Sequence, residues 1–467
     1  MKSSKLVETL GVLTKSELRE LDKFLRSPYF NQRTDVLMLK DYLVANLGKD
    51  EKALSKPVVF AAIFPESPYD EKLIRYVMSF LYQLVKNYLL QKELESQPAQ
   101  SQLIMIRALR KRGVQRVFDA EWQQTEKYLQ SHPHKNFDAH FFNYSLHNEK
   151  LMDAISKSRG STPGFRELSS ELTKFFIANT LHQSCLALSY QTIAKLDFTP
   201  DLLPQVLEKV ESSDYSDTPA ILIYYHCYQM LVGHEPLRNF QLLRQDIQEF
   251  GHCFPKSELK DLHVLALNFC IRNVNEGREQ FKYEAFELYK SGLANGVFIE
   301  DNQLSRFTYK NIVAIGLGLN EYDWVRSFIE AYMPFLSKKY RESTYCFNLA
   351  LYHFKKEEYS EAMSLLQQVG TDDLLNNLNA RRMLLRIYYD LGETEALYSL
   401  LDSFQTYIYR KKDLGYHRDL YLNLIRSIRK LLNIDLSNKQ QIEQLRQEIE
   451  SKDRIAEKQW LLEKLTS

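Results

Sequence analysis

The stretch "EEYSEAMSLLQQV", residues 357–369, decides the fold. Counted from Tyr359, the positions three, six, seven and ten further on are Ala362, Leu365, Leu366 and Val369. Offsets of 0, 3, 7 and 10 share one face of an α-helix, because 3.6 residues complete a turn. The same offsets from Tyr322 give Val325, Phe328, Ile329 and Tyr332, and from Thr394 they give Leu397, Leu400, Leu401 and Phe404. From Tyr283 they give Phe286, Tyr289, Lys290 and Leu293, with one polar intruder. The four anchors are separated by 39, 37 and 35 residues.

Each of the last three anchors is preceded by a second apolar helix. Ten and seven residues before them lie Ile312 and Ile315, Leu349 and Tyr352, then Leu384 and Ile387. Helix breakers separate the members of two pairs, as in "GLN" (318–320) and "LGE" (391–393). A two-helix unit repeating at this period must stack on its neighbours to bury its apolar faces. The spacing therefore predicts an all-α chain, an α-solenoid of stacked helical hairpins.

The segment "NLALYHFKKEEYSEAMSLLQQV" resembles a tetratricopeptide hairpin, with Leu349, Ala350, Tyr359 and Ala362 in the matching places. Tetratricopeptide units run about 34 residues. The resemblance covers about residues 305 to 405, and the proline that usually follows the second helix is absent. Over the whole chain, "KFLRSPYFN", "LNFCIRNVNEG" and "FTYKNIVAIGL" resemble uncharacterised helical-repeat proteins of Bacteroidota. That likeness implies the same fold and a cytoplasmic setting, and it supplies no activity. In tetratricopeptide proteins the first helix of each hairpin lines a concave groove. Carried over by position, this groove would hold Lys310 and Asn311, then Asn348, then Arg382 and Arg386. The set looks like part of the carboxylate clamp that some family members use to hold a peptide's C-terminus. Asn can hydrogen-bond a peptide backbone and Arg can grip a carboxylate. The alternative is that these side chains bridge helices or sit in solvent; Phe347, Leu351 and Phe354 make the helix around Asn348 unusually apolar.

Composition agrees with a folded helical protein. Of 467 residues, 44% are hydrophobic and 26% charged, and only 15 Gly and 13 Pro are available for turns, which disfavours a many-stranded β fold. The length suits several units or one extended array. The 29 Tyr and 26 Phe suit broad helix interfaces, where a ring is buried and a hydroxyl stays wet. A net charge of +1 gives no global field toward nucleic acid or anionic membrane. Cys185, Cys227, Cys253, Cys270 and Cys346 include no CxxC and read as free thiols. No secretory signal is visible near the first residues, and "AILIYYHCYQMLV" (220–232) is shorter than the roughly 20 residues a spanning helix needs.

Four segments are expected: an N-terminal helical module (1–95), irregular hairpins (103–255), tetratricopeptide-like repeats (256–434) and a long amphipathic C-terminal helix (435–467). Thr14 and Glu17 form a capping box for a helix through Leu25. "SKPVVFAAIF" (55–64) is read as a helix with Pro57 in its first turn, and Ser67 as the cap of a helix running to 95. "SQPAQSQ" (96–102) reads as a linker, "SHPHKN" (131–136), "SRGSTPG" (158–164) and "ESSDYSDTP" (211–219) as breaks, and no sheet is expected. In the last segment Ser437 and Gln440 are a candidate capping box. Ile442, Leu445, Ile449 and Ala456 form a seam broken by Lys452, through which the chain could self-associate.

No chemistry stands out. There is no GxGxxG, P-loop, GxSxG or HExxH, so neither an enzyme nor a cofactor site is expected. His132, His134 and His140 cluster, and His182 lies three residues before Cys185, without a second pair at zinc spacing. Acid pairs at Glu357/Glu358 and Asp372/Asp373 fall at helix starts, where carboxylates suit the dipole. For nucleic acid, Arg107, Arg110, Lys111, Arg112 and Arg116 lie in a run without an acid, and a second group comprises Arg410, Lys411, Lys412, Arg418, Arg426, Arg429 and Lys430. A regulator using the helix over 68–95 would offer Lys72, Arg75, Lys86 and Lys92, diluted by Asp70, Glu71 and Glu93. The expected function is a non-catalytic, cytoplasmic scaffold that binds another protein or peptide on the concave face of the array. The alternative is a nucleic-acid-binding array or transcriptional regulator.

Overall fold

The computed structural model describes residues 4–48, 51–157, 164–194, 198–369, 374–411, 414–435 and 438–466. Ser437, Lys412, Asp372, Asp373 and most of the 158–164 break lie outside the described residues. Among the described residues the chain is all-α apart from one pair of two-residue strands, Ile299–Glu300 and Gln303–Leu304, where no sheet was expected. Asp301 and Asn302 take left-handed backbone angles there, closing a tight hairpin too short to carry an alternating pattern. The chain divides into two compact units. The first comprises Met1–Ser184 with Thr199–Tyr225, the second Cys185–Phe198 with His226–Ser467. The expected segment 1–95 lies in the first unit, 256–434 and 435–467 in the second, and 103–255 is shared between them.

In the first unit, α1 (Lys5–Val12), α2 (Lys15–Arg26), α3 (Thr34–Asn46) and α4 (Lys56–Ile63) pack around α5 (Glu71–Ser96). Their core includes Leu10, Leu25, Leu39, Phe60, Ile74, Val77 and Leu81. The capping box forms as read: Thr14 Oγ1 accepts from Glu17 N at 3.2 Å, and Glu17 Oε2 accepts from Thr14 N at 2.7 Å. The α5 start is corrected from Ser67 to Asp70, whose carboxylate accepts from the backbone of Lys72 and Leu73. The 96–102 linker is also corrected. Pro98 opens α6 (Pro98–Arg112), since a proline needs no partner for its nitrogen in a first helical turn. Helix α6 packs with α7 (Gln115–Ser131) and α8 (Phe137–Lys157) around Ile106, Phe118, Trp122 and Leu146. Helix α9 (Phe165–Ala194), α10 (Leu203–Glu211) and α11 (Pro219–Val232) follow, and the division between units falls inside α9 and α11.

The second unit carries the repeated spacing. After α12 (Pro236–Phe250), neighbouring helices pack as pairs: α13 (Lys256–Asn275) with α14 (Gln280–Ala294), and α15 (Arg306–Gly318) with α16 (Tyr322–Tyr332). Then follow α17 (Arg341–Lys355) with α18 (Tyr359–Leu366), and α19 (Leu374–Asp390) with α20 (Thr394–Arg410). The residue three beyond each anchor is fully or almost fully buried: Phe286, Val325, Ala362 and Leu397. Burying such side chains contributes about 1.5–3 kcal/mol for each large one, which is why the spacing persists while the anchors vary. Tyr309 ties one pair together, donating from its buried hydroxyl to the Ile329 carbonyl at 2.7 Å.

Helix α21 (His417–Asn433) packs on α20, and the expected long C-terminal helix is two helices, α22 (Lys439–Glu450) and α23 (Lys458–Glu463). Asn438 caps α22 through Gln440 N and Gln441 N. Helix α22 ends at Glu450, and Glu457, at a φ of 55°, stands as the N-cap of α23. The turn lets Ile455, Ala456, Trp460, Leu461 and Leu465 join one core with Phe404, Ile425 and Ile449. A straight helix would carry these apolar groups away from α19–α21. The energetic reason for the break is burial.

All five cysteines are buried free thiols. Burial pushes the Cys270 thiol up to about 12, with the nearby Glu284 charge adding to it, and burial also raises Cys185 and Cys346. A thiol held protonated and away from solvent is a poor nucleophile. We expect fewer than one thiol per chain to react promptly with a thiol-exchange dye under native conditions, and all five to react in denaturant. Prompt native reaction of several would contradict this packing.

Candidate partner-binding site

Helices α15, α17 and α19 are the first members of three successive pairs, and α17 packs against both of the others. Lys310, from α15, reaches Asn376 at the start of α19 with an Nζ–Oδ1 distance of 2.7 Å, its ammonium 5.1 Å from the ring centre of Phe347 on α17. Three helices thus meet at one place through residues up to 66 positions apart. Asn311 is exposed.

Asn348 lies inside the stack. It has no exposed surface, and its Nδ2 donates to the Thr344 carbonyl at 2.7 Å within its own helix. Its Oδ1 and the hydroxyl of buried Thr344 have no hydrogen-bond acceptor or donor partner in the protein. This asparagine is placed to shape the interior of α17, and no open surface reaches it.

Arg382 and Arg386 stand one turn apart on α19 and share one carboxylate. Glu457 lies between them, with Arg382 Nη1 2.9 Å from Oε1 and Arg386 Nη1 2.8 Å from Oε2. The Glu457 side chain is only 14% exposed, so the charge is neutralised largely out of water. The Arg386 guanidinium sits 4.9 Å from the Phe354 ring centre and 5.4 Å from that of Trp460. Trp460 meets Tyr389 edge-on at 5.2 Å, and Lys464 pairs with Asp390 at 2.8 Å. Two arginines, two aromatic faces and one acid therefore converge, and the acid comes from the chain's own tail. Neither Glu457 nor Trp460 is visible as a site residue in the sequence. Glu457 is 71 positions from Arg386, and no local pattern links them.

The basic clusters are partly spent. Arg107 and Arg110 both pair with Glu149 of α8, at 2.6 and 2.8 Å, and that glutamate is buried. Arg112 bonds its own helix at Ala108, while Lys111 and Arg116 are exposed. In the second group Arg429 pairs with Asp402, Lys430 with Glu448, and Arg418 donates to the Lys411 carbonyl. On α5, Arg75 pairs with Glu71 and Lys92 with Glu20. Beside the first cluster is a cleft of about 500 Å³, lined in part by Phe118, Trp122, Lys150, Asp153 and Lys157. Two of its cations are engaged within the wall: Lys150 lies 3.6 Å from the Trp122 ring centre, and Lys157 pairs with Asp153.

Among the described residues no three His, Cys, Asp or Glu come together in a group that could hold a metal ion. His140 pairs with Glu171 at 2.8 Å, and His182 packs between the rings of Phe137 and Tyr224. Among the same residues no helix is long and apolar enough to cross a membrane. Comparison with protein-family models, with curated proteins and with solved structures finds no match to this chain.

Proposed function

We propose that this protein is a non-catalytic, cytoplasmic scaffold whose paired helices stack as a tetratricopeptide-like solenoid and bind another protein through the face built by α15, α17 and α19. The observation that carries this reading is the carboxylate held between Arg382 and Arg386, because it is the chemistry an acidic peptide would use there. The Lys310–Asn376 contact supports a common face for the three helices.

Purification of the full chain from its native cells, read by mass spectrometry, tests the reading. One protein partner at near-equal amount is expected. Its loss on charge reversal at Arg382 and Arg386 would tie it to this face, and recovery of no protein partner would end the proposal. The nucleic-acid alternative rests on Lys111, Arg112 and Arg116, since Arg107 and Arg110 are engaged by Glu149. It predicts binding to generic nucleic acid that weakens steeply with salt. No binding at low salt is the result we expect.

A further inference from the structure

The tail's grip on α19 has the form of a receptor with its ligand in place. We propose that Arg382, Arg386, Phe354 and Tyr389 form a binding site for a partner's acidic–aromatic turn of the form Glu-x-x-Trp-Leu, which the chain's own Glu457–Leu461 occupies in cis. This rests on the scaffold reading and names the ligand class of the same face.

The internal occupant specifies the chemistry. Glu457 supplies a carboxylate to two guanidiniums at 2.9 and 2.8 Å. Three residues on, Trp460 covers one face of Arg386 and sets its edge on Tyr389, while Leu461 is fully buried. A left-handed residue at Glu457 lets acid and indole point into the same surface without a continuous helix. A partner would have to reproduce three things: an acid, an indole three positions later, and an aliphatic side chain next to it.

The occupant does not saturate the site. The Nε–H groups of Arg382 and Arg386 are buried and have no acceptor in the protein. Glu457 engages each guanidinium at Nη1, leaving much of the planar fork unused. A partner segment carrying the same turn and one more carboxylate satisfies donors that the tail leaves open, and so binds in preference to it. The tail's backbone is fastened to α21 by Ala456 N on the Leu420 carbonyl at 3.2 Å and by Asn423 Nδ2 on the Arg454 carbonyl at 2.8 Å. Its hold on α19 is made by side chains, so the tail can leave without unwinding that helix.

The test uses the full chain with E457K and W460A together, which evict the tail, and a fluorescein-labelled peptide of residues 451–466 as probe. Anisotropy should show saturable binding to the double variant, at least tenfold tighter than to the wild-type chain. It should also be at least tenfold tighter than for the same peptide with E457Q. Equal weak binding in all three pairings overturns the proposal. Because the double variant could lose its fold, hydrogen exchange is measured on the wild-type chain as well. Amides of residues 455–465 should exchange at least tenfold faster than those in the middle of α20 and α21, in an opening that leaves those helices protected. Exchange of tail and helices at one common rate makes the tail a permanent part of the core and equally overturns the proposal. A wild-type dimer formed by exchange of tails, seen by size-exclusion chromatography with light scattering, assigns the site to a second copy and overturns the partner assignment. Failure of the native purification to return a partner would end the scaffold reading while leaving these peptide and exchange results standing, so the two failures are separable.

Discussion

Replacing Arg107 and Arg110 together by glutamine is expected to destabilise the first unit by about 3–5 kcal/mol, the usual cost of leaving a buried charge without its partner. Glu149 sits with its side chain 3% exposed and receives one arginine on each carboxylate oxygen. Without the arginines, its charge keeps its burial and loses its compensation. The reverse change is expected to be milder. Glu149→Gln removes the charge, keeps the side chain's length and one carbonyl acceptor, and turns the second oxygen into an amide donor that cannot accept from an arginine. It frees an arginine, Arg107, that is already 53% exposed to water. A loss of about 1–3 kcal/mol is expected for it. Arg107→Gln alone should cost the least, because Arg110 stays in place at 2.8 Å. Urea unfolding of the four proteins measures the series, and a double variant within 1 kcal/mol of wild type, by the about 0.5–1.5 kcal/mol yardstick of an ordinary hydrogen bond, would show that Glu149 is not held as described.

The second large effect is expected at Gly316, on α15. A methyl group built there would overlap the side chain of Val325 from α16 and crowd the Phe286 ring of α14 at 3.1 Å. Three helices therefore approach through the missing side chain. Gly316→Ala should cost about 1–3 kcal/mol by overpacking, although alanine is the better helix former by about 1 kcal/mol. Gly318 on the same helix is the control, since a methyl group there meets nothing within 4 Å. Gly318→Ala should be neutral or stabilising by up to about 1 kcal/mol. Opposite signs for two identical substitutions two residues apart would report packing alone. Equal effects would contradict the close approach of α14, α15 and α16.

Much of the fold was legible because its signals are local. The capping box of Thr14 and Glu17 lies within three residues. The buried positions of α14, α16, α18 and α20 follow from spacing along one helix at a time, so Phe286, Val325, Ala362 and Leu397 could be placed in the interior from residue order alone. Errors arose where a local sign competed with burial. Pro98 reads as punctuation and instead starts a helix, and the run after Lys439 reads as one helix until Ile455, Trp460 and Leu461 are seen to need a core.

What the amino-acid order alone determined is therefore most of the helices, the Thr14–Glu17 cap and the faces the paired helices bury, since these depend on residues within a turn or two of one another. Tertiary structure decided where the polar groups go. Asn348 reads as a groove residue and is buried, and Arg107 and Arg110 read as an open basic run and are closed by Glu149 from 42 and 39 positions away. Arg382 and Arg386 were legible as a pair one turn apart, yet their carboxylate came from Glu457, beyond any local window. The physical reason is one of range. Helical periodicity is set by the backbone between near neighbours, whereas the partner of a charge is set by which helices must pack together to remove their apolar faces from water.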